Sequence, residues 1–477
     1  MKKINIISFF IMIICLIILS FSVLRLDVLP DKYLIIYFIL ISILSIIFGL
    51  ITFINKNKII RYIITFIIIL ISILSCFISF IVLDKANAFL ENIEEVEEVS
   101  IYYLISLKES NYKDIVDLKD KSIGISSNGT DYNAIKLLND KIKYNVVKYD
   151  NLFDLYDDLL NNKLDCIYID SNIKMLFDEV VNDFSDKTMI ISELNIKSSM
   201  ESNDEEINNF KDSINIYISG IDTYGTINLR SRSDVNMLAT INTKNHEILL
   251  TSIPRDYYVQ LHDKPGYKDK LTHAGIYGVN TSIQTIQDFM GIEINYYTRV
   301  NFSTLEKVVD AIGGIDVYSD KSFRPHTNKA LYINKGMVHM DGKTALAFAR
   351  ERYAYESGDR HRVQNQQDVL KAIINKATSD VSILTRYTTL LNSISPYFQT
   401  NIDMNEISEI VKIQLDKMPS WTIKQTSLDG TGSKQPTYSM GNTPLYVMIP
   451  NQETIDIASK YINGMTKGKT FNELGLN

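Results

Sequence analysis

The stretch ARERYAYESGDRHR places Arg350, Arg352, Arg360 and Arg362 in one short segment of a chain whose formal net charge is −7. A guanidinium is a planar fork that donates two hydrogen bonds to paired oxygens, so such a cluster suits an anion of several charges. Three other motifs carry matching chemistry. SGIDTYG holds Asp222, SRSDVNML holds Arg232 and Asp234, and SIPRDYYV holds Arg255 and Asp256. Carboxylates at two strand ends can take a hard dication. Mg²⁺ accepts one or two carboxylates and completes its shell with water and phosphate oxygens. Several arginines plus Mg²⁺ complement a pyrophosphate, and positioning with charge neutralisation is what phosphoryl transfer mainly demands. A single Arg–Asp pair reads first as a surface salt bridge, and Arg350, Glu351, Arg352, Glu356, Asp359 and Arg360 offer several. The whole set at successive strand ends favours the anion site.

These residues need a scaffold. Residues 214–220, 236–242 and 246–253 read as strands of a largely buried sheet, and ligands of α/β sheets gather where strand ends converge. NTSIQTIQDFMG, FSTLEKVVDAIGG and the run after Gly358 read as helices. Gly358 and Asp359 offer a turn and an N-cap for that last helix. Arg362 and Gln366 share one face near its N-terminus, the end that attracts anions. Val363, Leu370 and Ile374 are expected to form much of its buried stripe. Farther on, ISEIVKIQLDK predicts a helix, WTIKQTSL a strand, DGTGS a glycine-rich turn, and LYVMIP and ETIDIASKYING the last elements. One α/β domain is expected over residues 214–477.

Residues 100–198 alternate SIGIS, YNVVKY and CIYID strands with helical YNAIKLLND and LFDLYDDLLNN, which predicts a smaller α/β domain. Its pattern resembles one lobe of a periplasmic solute-binding protein without any ligand-specific residue, so an accessory module packed on its neighbours is expected. Residues 86–99 read as an acidic spacer and 199–213 as a linker.

Residues 1–85 contain three uncharged apolar segments, at 4–24, 33–54 and 62–83. Each is about long enough to cross a ~30 Å hydrocarbon layer as a helix. Lys2 and Lys3 before the first, and Lys56, Lys58 and Arg61 after the second, predict a cytoplasmic N-terminus and an external remainder. This part carries +5, leaving −12 outside. That balance argues against a nucleic-acid partner. Cys15 and Cys76 fall in spans, so Cys166 has no disulfide partner outside.

Other motifs fail on spacing. Neither Gly342 nor Gly468, which open the two GKT strings, has a glycine at P-loop distance. Ser171 and Lys174 fit S-x-x-K without the companion motifs of penicillin-binding enzymes. The six histidines lack zinc-site spacing.

The run IYISGID…SRSDVNMLATIN…ILLTSIPRDYYV resembles the LytR-CpsA-Psr family of cell-wall enzymes. KLTHAGIYG, VVDAIGGIDV, DGKTALAFARER and GDRHRVQNQQ continue the match in order. Three spans and an accessory domain resemble its capsule-type branch. The resemblance implies transfer of a glycopolymer phosphate, such as teichoic acid or capsule, from a polyprenyl-pyrophosphate carrier to a peptidoglycan hydroxyl in a Gram-positive-type envelope. It implies Asp222 and Asp234 as Mg²⁺ ligands, with Arg232, Arg255, Arg350, Arg362 and Gln366 on the pyrophosphate. Arg352 and Asp359 would complete the network, Asp359 as a candidate to orient or deprotonate the acceptor, and Lys270 would add a phosphate contact. Many members carry Arg-Gln where this chain has Asn365-Gln366, and Arg360 is the candidate to compensate. The helix faces IQTIQDFMGI and LEKVVDAI read either as a polyprenyl groove or as plain core. The anchor would keep the site beside membrane lipid, and other envelope-assembly proteins are possible partners. Two other readings share the site: a hydrolase of the same pyrophosphate linkage, and a membrane sensor or regulator of envelope assembly.

Overall fold

The computed structural model describes the chain except residues 1, 27–29, 55–56, 95–97, 128–129, 182, 199–211, 226, 228, 381–382, 384–393, 403 and 477. Most of the expected linker lies outside the described residues. The chain forms two compact units, one of residues 1–95, 306–396 and 401–421, the other of residues 96–305, 397–400 and 422–477.

The first unit begins with helices Lys2–Leu26, Asp31–Ile54 and Lys58–Glu94. All three are long and apolar enough to cross a membrane. Met12, Leu16, Phe48 and Ile68 pack between them, while side chains such as Ile17, Phe66 and Phe80 face outward. Ser20, Ser22, Ser72 and Ser79 each donate to the carbonyl four residues earlier, which satisfies their hydroxyls in an apolar setting. The spans bring the Cys15 and Cys76 sulfurs to 3.3 Å as free thiols.

The remainder of this unit includes the antiparallel pair Ile315–Ser319 and Gly336–Met340, and helices Gly342–Ala349, Asp359–Ser379 and Met404–Lys417. Gly342, rejected above as a phosphate glycine, serves packing: a Cβ there would lie 2.3 Å from the Glu306 carbonyl oxygen. The buried residues of Asp359–Ser379 are Asn365, Gln367 and Val369. Val363, Leu370 and Ile374 are only half-buried, a correction to the expected stripe. The reason is polar. Asn365 Nδ2 donates 3.0 Å to the Phe348 carbonyl at the end of the preceding helix, which also accepts the Glu351 N–H at 3.1 Å.

The second unit holds two larger sheets. The first orders its strands Asn145–Tyr149, Ser122–Ser126, Cys166–Asp170, Glu98–Leu107 and Thr188–Ser198. Its first three strands are parallel and the last two pair antiparallel. Strand Glu98–Leu107 starts inside the expected spacer. One face packs on Ala134 and Leu138, the other on Leu155, Leu159 and Phe177.

The second sheet has six strands among the described residues, in the order Phe398–Thr400, Tyr296–Val300, Ser213–Gly220, Val235–Asn242, Glu247–Ile253 and Thr422–Ser427. Tyr217, Leu238 and Leu249 are fully buried in one core with Ile286 and Met290 of helix Val279–Met290 and Ile455 and Ile462 of helix Gln452–Thr466. Ile286 and Met290 are therefore core, as are Val309 and Ile312, rather than a groove lining. DGTGS is not a turn. Gly430–Thr437 is a strand paired with Gly441–Pro450. A Cβ on Gly430 would lie 2.3 Å from the Ile449 carbonyl oxygen, so this glycine permits close cross-strand approach.

Candidate functional site

The register of the six-stranded sheet gathers the first candidate group. Strand Ser213–Gly220 ends opposite Val235, the first residue of its antiparallel neighbour. Val300 pairs with Gly220, and Ile253 pairs with Asn236. Four strand termini thus share one edge. Asp222 follows the first, Asp234 precedes the second and Arg255 follows the strand ending at Ile253. The Asp234 N–H donates 2.8 Å to the Gly220 carbonyl, which fixes the start of its strand.

Side chains at this edge interlock. Arg255 donates from a terminal guanidinium nitrogen to Asp234 Oδ1 at 2.8 Å, and Thr272 Oγ1 lies 3.4 Å from the same oxygen. The Thr272 N–H bonds the Arg255 carbonyl at 2.8 Å, and Ser233 N–H bonds the Thr272 carbonyl at 3.1 Å. Lys270 Nζ stands 3.3 Å from Asp256 Oδ1, and Arg255 Nε 3.7 Å from Asp256 Oδ2. Arg232 bonds Glu179 at 2.9 Å, while its Nε is buried without a hydrogen-bond partner. Asp222 is exposed. The edge therefore joins Asp234 to Arg255 and, through Asp256, to Lys270.

Behind the edge, Ser233 meets Ser219 at 2.7 Å and Tyr217 at 3.1 Å, and Tyr217 donates 2.6 Å to Asn236. These buried hydroxyls hold the residue before Asp234 from below. Asp269, His273 and Ser439 form a second buried cluster. Asp269 Oδ1 and Ser439 Oγ both meet His273 Nδ1, at 2.7 and 3.0 Å. A nucleophile relay needs the two partners on opposite ring nitrogens, so this cluster is structural. Sequence reasoning named Asp256 beside Arg255 without a role of its own and passed over Thr272. The signal for both was present, since they lie within the KLTHAG and SIPRD motifs.

The candidate metal ligands at this edge are carboxylates. Among the described residues, no three His, Cys, Asp or Glu side chains group to hold an ion. Asp222 and Asp234 at one sheet edge match Mg²⁺, which keeps most of its shell for water and phosphate.

The second candidate group lies in the other unit. Arg350 closes helix Gly342–Ala349 as its C-cap. Glu351 is 1% exposed and organises the segment that follows. It accepts the N–H groups of His326 and Tyr353 at 2.7 Å each and of Ala354 at 2.9 Å, and meets His326 Nδ1 at 3.2 Å. Burial alone would raise its carboxyl, but these donors outweigh that and hold it below the usual range. Arg352 donates 2.8 Å to the Tyr353 hydroxyl.

Gly358, at φ +54°, is the N-cap of helix Asp359–Ser379. Asp359 is thus the first helical residue and not the cap expected above. Glycine tolerates that backbone, and the Asp359 carboxylate instead meets Arg362 at 2.8 Å. Arg360 is exposed and Gln366 half-buried. His361 stacks on Tyr355 with ring centroids 3.3 Å apart, and burial lowers its pKa.

The teichoic acid transferase TagU of Bacillus cereus, strain ATCC 14579, is 36% identical over 200 residues. The match takes in 42% of this chain and 64% of that protein's length. TagU of Bacillus anthracis is 32% identical over 248 residues, 52% of this chain and 77% of that protein. The Enterococcus faecalis counterpart is 31% identical over 231 residues, 48% and 73%. All three are named polyisoprenyl-teichoic acid–peptidoglycan teichoic acid transferases. Among solved structures, B. subtilis TagV aligns with TM-score 0.46 and 28% identity over 55% of this chain and 99% of that one. TagT bound to LIIa-WTA aligns with TM-score 0.45 and 27% identity over 55% and 95%. The model of the LytR_cpsA_psr family matches residues 183–456, more than half of the sequence, and the chain belongs to that family.

Proposed function

We propose that this chain is a membrane-anchored phosphotransferase that moves a glycopolymer phosphate from a polyprenyl-pyrophosphate carrier to a peptidoglycan hydroxyl. The observation that carries the reading is the Asp234–Arg255 pair at the convergent strand ends, a carboxylate and a guanidinium held for a charged ligand. Transfer is also the activity named for the Bacillus and Enterococcus relatives. Their polymer, teichoic acid, is the first choice here.

In the proposed reaction the acceptor oxygen attacks the phosphorus bearing the glycopolymer. A new P–O bond forms, the bridging P–O bond breaks, and polyprenyl phosphate leaves with its electrons. The hydroxyl proton passes to solvent or to a base. Arg232, Arg255 and Lys270 are assigned to the donor phosphates, and Arg350, Arg360, Arg362 and Gln366 are assigned to them on the family motif. Asp222 and Asp234 would hold Mg²⁺, which when bound would neutralise the charge on the phosphates. Arg352 supports the arginine segment. Asp359, already facing Arg362, is assigned to orienting the acceptor. The helices long enough to span a membrane would keep this chemistry beside its lipid donor, with the N-terminus cytoplasmic and both sheets outside.

The test uses the full chain in detergent with a short-chain polyprenyl-pyrophosphoryl saccharide, peptidoglycan fragments and Mg²⁺, analysed by mass spectrometry. A saccharide-phosphate adduct that disappears with EDTA, Asp234→Ala or Arg362→Ala supports the reading. Donor cleavage without adduct reassigns the protein as a hydrolase. Intact donor in every arm, with a matched natural donor included, sinks the enzymatic reading.

A further inference from the structure

The segment that carries Arg232 and Asp234, residues 229–234, is not held by its own sheet alone. Near its C-terminal end the bonds are local: Ser233 N–H to Thr272 O and Asp234 N–H to Gly220 O. Its first half is gripped by the five-stranded sheet. Arg230 N–H donates 3.0 Å to the Val99 carbonyl, and Leu229 forms a parallel bridge with Val99. Asn172 Nδ2 donates 3.1 Å to the Arg230 carbonyl. Glu98, buried, takes Arg230 at 2.9 Å on one oxygen and Arg299 at 3.0 Å on the other. Arg299 in turn donates 3.0 Å to the Leu229 carbonyl.

Helix Ser171–Val180 touches the segment twice. Asn172 at its start holds the backbone, and Glu179 near its end holds the Arg232 guanidinium at 2.9 Å. Asp170 caps this helix and receives both the N–H and the side-chain amide of Asn172, at 2.7 and 2.8 Å, so the reach of Asn172 toward Arg230 is fixed. Apolar packing prevents the sheet from swinging away. Ile276, Met440 and Leu445 of the six-stranded half share one core with Tyr156, Ile167 and Phe177.

A docked module needs only side chains in contact. Here the held atoms are the backbone four residues before Asp234 and the guanidinium of Arg232. We infer that the N-terminal sheet is a positioning part of the transfer site, with Asn172 and Glu179 setting the placement of Arg232 and the approach to Asp234. The inference rests on the reading of those two residues as site residues. Displacing reacting groups by about 1 Å can cost on the order of 100-fold in rate, so a clamp of this kind acts on turnover more than on binding.

The experiment uses the full chain in detergent micelles, with hydrogen exchange by mass spectrometry and transferase kinetics on the same samples. Asn172→Ala is expected to raise exchange across 229–234 about tenfold while the 235–242 strand is unchanged, and to lower kcat about tenfold with KM within about twofold. Glu179→Ala is expected to lower kcat similarly. Glu179→Gln keeps an acceptor for Arg232 and is expected to restore kcat to within about threefold of wild type. Folded Asn172→Ala protein with wild-type exchange and wild-type kcat overturns the inference. If the wild-type chain itself transfers nothing, the enzymatic reading fails, and unchanged exchange at 229–234 in Asn172→Ala still decides against the clamp.

Discussion

Arg255 and Asp234 meet at 2.8 Å across the edge of the six-stranded sheet, one following a strand and the other preceding the strand beside it. Both side chains are mostly buried, at 28% and 13% exposure, yet the pair remains open to a ligand. The exchange Asp234→Asn keeps the shape and an acceptor oxygen for Arg255 but removes the charge. We expect kcat/KM for transfer to fall at least about 100-fold. Unfolding free energy should change by about 1 kcal/mol, the scale of a partly solvated pair. Steady-state kinetics beside thermal melts would decide it. A variant that retains activity, or one that loses activity only because it unfolds, refutes the assignment.

Gly275 makes the site segment possible from the other side. A Cβ there would lie 2.7 Å from the Ser231 carbonyl and 2.9 Å from the Ser233 nitrogen, both backbone atoms. Gly275→Ala must push residues 231–233 outward. The expected cost is about 1–3 kcal/mol of stability. Activity should fall further than stability explains, because Arg232 and Asp234 move together. A melt and a rate measured on the same preparation separate the two. Wild-type rates in a folded Gly275→Ala protein would show that this segment is not part of the site.

Much of this architecture is legible in the amino-acid order. SIGIS and CIYID become strands Ser122–Ser126 and Cys166–Asp170 residue for residue, since short apolar runs between polar turns have few other uses. The strand ends bearing Asp234 and Arg255 follow from the same alternation. The strand Glu98–Leu107 was obscured by its acidic approach, EEVEE, which reads as solvated spacer. Glu98 is buried only because Arg230 and Arg299, 132 and 201 residues away, come to meet it. No local pattern announces such a pairing. Asn365 shows the same limit: a polar residue on a helix reads as surface until the distant carbonyl it meets is known.

Glu351 stands among arginines in sequence and looks like their counter-ion, but its partners are backbone N–H groups and His326. Each of its oxygens accepts two of these contacts. Glu351→Gln keeps one oxygen and turns an NH₂ group toward donors. We expect a loss of about 2–4 kcal/mol from the buried mismatch. The carboxyl is held low in the folded state, so its contribution is present above the ordinary glutamate range and fades as pH falls through the lowered value. Thermal unfolding of wild type and Glu351→Gln at neutral pH is the direct comparison. Equal melting temperatures would mean that the Glu351 bonds contribute nothing to the segment that carries Arg350 and Arg352.

Asp170 supplies the clearest pH signature. Burial pushes its carboxyl up to about 6, and the bonds from Asn172 and the charge of Arg230 offset only part of that. A folded-state value above the unfolded one means that the stabilising contribution is complete below the unfolded pKa and is lost as pH rises through about 6. For a rise of this size the contribution is about 3 kcal/mol. Asp170→Asn is neutral at every pH and still offers an oxygen to Asn172. The variant should therefore match wild type near pH 4 and become the more stable of the two toward pH 7, with the gap opening between these values. Melting temperatures of both proteins across that range test the sign as well as the size. Parallel curves would mean that Asp170 ionises in the folded protein as easily as in the unfolded chain. A gap of opposite sign would mean that Asp170 is charged and favourably paired, with Arg230 outweighing burial.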